Sequence, residues 1–162
     1  MTRRQDRFAA GSVDAVASTL NQLIQTCRDG ENGFASAATA VEEPSLRRLF
    51  QSYSQQRTEF AAELKLEVRR LAQDPVQSGH ASAALHRSWL DIKAGIVGRS
   101  DGLVIQECEQ EEETALGNYD HALDSPLPND LRIIVERQFG QIKEAQEQIR
   151  SLEHTHTEAD SH

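Results

Sequence analysis

The sequence predicts an all-α protein, a four-helix bundle with one long crossover that carries a short extra helix. Aromatic residues make up only 5% of the 162 residues, with 9 glycines and 4 prolines, so the material of sheets and turns is scarce. Apolar residues instead recur at helical spacing along several long stretches. The lengths of the links between those stretches set the topology.

Residues 1–11 read as a flexible N-terminal tail, and residues 12–153 as the helical domain. Ser12 can cap a first helix whose apolar stripe runs Val13, Val16, Leu20, Leu23, Cys27, Phe34, Ala38 and Val41. Asp29-Gly30-Glu31-Asn32-Gly33 is its weak point, since each interior glycine costs ~1 kcal/mol relative to alanine. The stripe resumes nearly in phase at Phe34, which favours one continuous helix.

Pro44 ends that pattern and suits the first turn of a second helix, with Leu46, Leu49, Phe50, Tyr53, Phe60, Leu64, Val68 and Leu71 on one face. Asp74-Pro75 stops it. A polar link follows, and then a short stripe of Leu85, Trp89, Ile92 and Ile96, broken by the segment from Gly98 to Asp101. The third long helix spans about 101–124 and turns Val104, Ile105, Cys108, Ala115, Leu116, Tyr119 and Leu123 inward. Ser125-Pro126-Leu127-Pro128 is a tight turn. The last helix carries Leu131, Ile134, Val135, Phe139, Ile142, Ile149 and Leu152, and residues 154–162 read as a flexible C-terminal tail.

Four such helices, each roughly 35–45 Å long at about 1.5 Å per residue, can bury their stripes only against one another. The first and last links are very short and make antiparallel hairpins. The middle link is long enough to climb the full height of the bundle, with the Trp89 helix packed along its outside. Two hairpins joined by one long crossover are the ferritin-like arrangement.

Several stretches also match a known pattern: Leu20-Asn-x-Leu-Ile with Asp29-Gly-x-x-Gly-Phe34, Arg57-x-x-Phe-x-x-Glu-Leu64, His86-Arg-x-Trp89 with Asp91-x-Lys93, and Glu107-Cys-Glu109 leading to Glu112-x-x-Ala115-x-x-x-Tyr119. Leu127-Pro128 and Gln138 fit as well. Over about residues 13–152 the chain resembles a family of small, uncharacterised bacterial ferritin-like proteins, one of the domain-of-unknown-function families. The resemblance implies the fold and no settled activity. It also implies two departures, because the family pattern usually has Glu where this chain has Thr39 and His where it has Gln146. If the family holds a metal at that end of the bundle, this member lacks two of its ligands.

The formal charge of −9 argues against nucleic-acid binding, which needs cationic surface. No apolar run reaches the ~20 residues of a membrane span, so no membrane insertion is expected. No apolar segment follows Arg3, Arg4 and Arg7, as a secretory signal would require. Cys27 and Cys108 lie far apart on apolar stripes and read as buried free thiols, which points to the cytoplasm.

A di-iron bundle supplies one Glu from each of two helices and Glu-x-x-His from each of the others. Glu153-His-Thr-His156 is the one Glu-x-x-His here, and it falls in the expected tail. An all-carboxylate set of Glu31, Glu59, Glu63, Glu109 and Glu112 could hold iron or manganese, in a dimetal oxidase or an iron-handling protein. Glu112 continues the inward line from Cys108 to Tyr119. Arg57 stands against a metal there, because it points inward between Tyr53 and Phe60 at about the height of Glu112 and Gln138. An Arg57–Glu112 ion pair explains both residues as a structural polar core with Gln138 and places positive charge where a metal would sit. His86 and His121 lack partners at helical spacing, and Cys108 lies among carboxylates that blunt its nucleophilicity. The sequence therefore favours a structural or interaction protein with no cofactor. It would bind an unidentified protein partner or a second copy, with Trp89 as a candidate contact.

Overall fold

The computed structural model describes residues 10–71, 73, 75 and 100–160. The short Trp89 helix and the crossover stripe expected between residues 76 and 99 lie outside the described residues. Among the described residues the structure is all helix and turn. It comprises α1 (Ala10–Ala40), α2 (Pro44–Arg70), α3 (Asp101–Leu123) and α4 (Asn129–Asp160).

Helix α1 runs unbroken through Gly30 and Gly33. It begins at Ala10, so Ser12 lies inside its first turn rather than capping it. Pro44 opens α2, as a residue without a backbone N–H can do where that N–H would go unused. The expected frayed tail is shorter than the sequence suggested, because α4 continues to Asp160. Residues 153–160 contain no Gly or Pro to stop it, and the Thr155 hydroxyl donates back to the Ser151 carbonyl at 3.0 Å.

The helix ends are tied by side chains from the next element. Arg47 of α2 donates to the carbonyls of Ala38 and Val41 at 3.2 and 2.9 Å, which satisfies the C-terminus of α1. Arg132 of α4 does the same for α3, donating to Leu123 and Ser125. The Asp101 carboxylate accepts from the backbone N–H groups of Glu42 and Glu43, so the α1–α2 turn lies against the start of α3. The end of α2 and the start of α3 are therefore at opposite ends of the bundle, and one long crossover joins the two antiparallel hairpins. This is the ferritin-like four-helix topology.

α1 packs on α2 and on α3, and α3 packs on α4, while α2 and α4 touch sparsely. The apolar interior divides in two. One cluster holds Leu20, Leu23, Cys27, Phe60, Leu64, Ala115, Tyr119 and Val135. The other holds Phe34, Phe50, Tyr53, Cys108, Ile105, Ala145 and Ile149. Between Cys27 and Phe34 on α1, Tyr53 and Phe60 on α2, and Cys108 and Ala115 on α3 lies a polar layer.

Candidate functional site

Arg57 and Glu112 fill that layer. The guanidinium donates from Nη1 and Nη2 to the two carboxylate oxygens of Glu112 at 2.6 Å each, the paired geometry that suits arginine and carboxylate. Their side chains are 1% and 2% exposed, so both charges depend on each other. Burial works against the Arg57 charge, yet the adjoining Glu112 carboxylate overrides it and holds the guanidinium's pKa above its ordinary value. The guanidinium carbon lies 5.2 Å from the centroid of the Phe34 ring, a cation–π contact from the cluster that holds Phe50 and Tyr53.

Gly30 makes the layer possible. A Cβ there would stand 3.2 Å from both Cγ and Nη1 of Arg57. The glycine that looks like a weakness in the α1 sequence is the gap through which the arginine crosses α1.

A second polar chain takes one side chain from each helix. Gln138 of α4 donates from Nε2 to Glu63 of α2 at 2.7 Å, so its Oε1 faces the Tyr119 hydroxyl of α3 at 2.7 Å. The reverse amide orientation would set its oxygen against a carboxylate. Tyr119 must then donate to Gln138, and the Cys27 thiol of α1, 3.0 Å from the hydroxyl oxygen, must donate to Tyr119. Every hydrogen in the chain has one direction, from Cys27 toward Glu63. Burial pushes the Cys27 thiol up to about 11, while the Tyr119 hydroxyl and the nearby Arg57 partly offset it. Burial likewise raises Tyr119, and it raises Cys108 well above the usual thiol range. Both cysteines are free, buried and protonated at neutral pH.

The five carboxylates considered as metal ligands are dispersed. Glu31 is paired with Arg28 at 2.7 Å. Glu63 holds Arg137 as well as Gln138. Glu109 accepts from Arg150 at 2.8 Å, and Glu112 from Arg57. Glu59 is exposed and meets the amide of Gln55 at 3.5 Å. Among the described residues no three His, Cys, Asp or Glu side chains gather in a way that could hold a metal ion. A ferritin-like dimetal centre does not fit this donor set, since arginine already holds four of the five carboxylates.

The two positions that depart from the family pattern do not share one interior spot. Thr39 is exposed and bonds back to the Ala35 carbonyl, while Gln146 is buried at 7% exposure. Glu153-x-x-His156 is helical rather than frayed. The carboxyl of Glu153 faces that of Glu109, which raises Glu153, while Glu153 and Arg150 lower Glu109. His156 lies 3.6 Å from Glu43. His121 is exposed, and His86 lies outside the described residues.

Sequence reasoning missed the Cys27–Tyr119 contact and the ion pair of buried Glu67 with Arg70 at 2.5 Å. Cys27 and Tyr119 were both on inward stripes, and a polar atom on each was the available signal. Glu67, one position before Val68 on α2, gave none.

Residues 15–125 match the family described as Domain of unknown function (DUF2383). No curated protein matches the chain. Among solved structures it is similar to a mutant of Mycobacterium smegmatis Dps1, at 12% identity and a TM-score of 0.77, covering 90% of this chain and 99% of that one. It is also similar to a two-domain protein from Anabaena variabilis with DJ-1/ThiJ/PfpI-like and ferritin-like domains. There the identity is 15% and the TM-score 0.73, covering 89% of this chain and 40% of the other. At these identities the likeness is one of fold.

Proposed function

The chain belongs to the DUF2383 family, and we propose that it is a metal-free structural or interaction protein of the cytoplasm. The observation that carries this reading is the Arg57–Glu112 pair, which satisfies the most deeply buried carboxylate among the described residues without metal and sets a guanidinium in the interior of the bundle. A cation placed there would have to displace or repel it. The other candidate carboxylates meet partly exposed arginines or face solvent. The polar interior then serves to fix which helices pair and in what register, and function lies on the outside, toward a protein partner or a second copy. Net negative charge supports the exclusion of nucleic acid, and no described helix is long and apolar enough to cross a membrane.

The ferritin-like fold supports the alternative, a carboxylate-bridged dimetal oxidase or iron-handling protein. Elemental analysis of tag-free protein with an anaerobic Fe²⁺ titration separates the two. The expected result is no stoichiometric metal and no Fe²⁺ uptake. Binding of more than about one equivalent, lost in Glu112→Ala, would overturn the metal-free reading. Light scattering tests self-association, with a mass above one chain as the outcome that identifies a second copy as partner.

A further inference from the structure

Beside the Arg57–Glu112 pair, α1 and α3 line a cavity of about 30 Å³, enough to admit a water molecule. Its polar lining includes Thr26, Asp29, Glu111, Glu112 and Asn118. Thr114, also in the wall, is exposed, so the cavity reaches the surface. Three carboxylates meet there. Glu112 is neutralised by Arg57 from α2. Asp29 of α1 has the Gln25 amide at 3.1 Å. Glu111 of α3 is half-buried and has no ion pair or hydrogen bond among the described residues. The other charges nearby do not relieve it. Arg28 and Glu31 of α1 are paired with each other at 2.7 Å, and Glu107, one turn earlier on α3, is another carboxylate.

We propose that the α1–α3 seam is a proton-responsive contact. With Glu111 protonated, the two helices close over the Arg57–Glu112 pair. With Glu111 ionised, its repulsion of Asp29 and Glu112 loosens them and admits water to the pair. Burial pushes Glu111 up to about 7, with Glu107, Asp29 and Glu112 adding to it, so the change falls in the neutral range. This inference stands whether the bundle binds proteins or metal.

Hydrogen exchange by mass spectrometry on the full chain, corrected for the chemical exchange rate, tests it at pH 6 and pH 8. Peptides covering residues 26–34 and 108–118 should lose about tenfold in protection at pH 8, as one pKa unit of differential binding implies. Peptides of α4 should lose less. Glu111→Gln should keep the high protection at both pH values. Equal protection at both pH values in the wild type, or the same loss in Glu111→Gln, would overturn the proposal. Should that variant fold poorly, Asp29→Asn removes the repulsion from α1 alone and should shrink the wild-type loss; an unchanged loss refutes the seam.

Discussion

Replacing Arg57 by methionine keeps most of the side chain's volume and removes its charge, leaving the Glu112 carboxylate at 2% exposure without a cation. Breaking a buried pair from one side typically costs about 3–5 kcal/mol, because the remaining charge must be desolvated alone or take up a proton. Some of that cost also comes from the lost contact with the Phe34 ring. For a chain of this size each kcal/mol lowers the melting temperature by about 2–4 °C, so Arg57→Met should melt roughly 6–20 °C below wild type. Arg57→Met combined with Glu112→Leu makes the layer apolar and removes both desolvation costs. That double variant should recover to within about 1 kcal/mol of wild type or exceed it. Urea unfolding followed by circular dichroism gives both values, and the double-mutant cycle isolates the coupling. A single variant that costs less than about 1 kcal/mol would refute the claim that these charges depend on each other. A double variant as unstable as the sum of its singles would refute the claim that the layer is only a paired interior charge.

Gly30→Ala should destabilise despite alanine's better helix propensity, because its Cβ would press at 3.2 Å on an arginine locked by two hydrogen bonds. Gly140→Ala, with nothing within 4 Å of the added methyl, should instead stabilise by about 0.5–1 kcal/mol in the same melting assay. Tyr119→Phe strands the Gln138 oxygen and the Cys27 thiol and should cost about 1–3 kcal/mol in urea unfolding, with little change in the slope. Glu111 releases its proton near 4.5 when unfolded and near 7 when folded, so its contribution to stability falls as pH rises between those values. Melting temperatures across that range should decline less in Glu111→Gln than in wild type.

The fold was legible because every long helix has a nearly unbroken apolar stripe and because link length alone decides topology. Pro44 and Ser125-Pro126-Leu127-Pro128 marked two short turns, and the remaining link had to be the crossover. Helix ends were less legible. Ser12 looks like a cap and is not one, since local hydrogen-bonding capacity does not say where packing begins to hold a helix. The end of α4 misled in the other direction, because polar composition without Gly or Pro is compatible with either a frayed or a formed helix.

The interior polar residues show a sharper limit. Arg57 and Glu112 could be set at one height by counting turns, because each sits between apolar residues that face the core. Gly30 reads as a helix-weakening residue from the chain alone, and only the path of Arg57 shows why a side chain is excluded there. Cys27, Tyr119, Gln138 and Glu63 come from four different helices, so no spacing within one helix can reveal that they touch. Their order follows once Gln138 is oriented. Its amide must turn N–H toward Glu63 and oxygen toward Tyr119, which commits the tyrosine proton and then the thiol proton. One partly exposed carboxylate on α2 thus sets the direction in which a thiol buried in α1 donates. A chain of that kind rewards one pairing of all four helices and penalises a one-turn slip of any of them, which is a property of the assembled bundle and of no single segment.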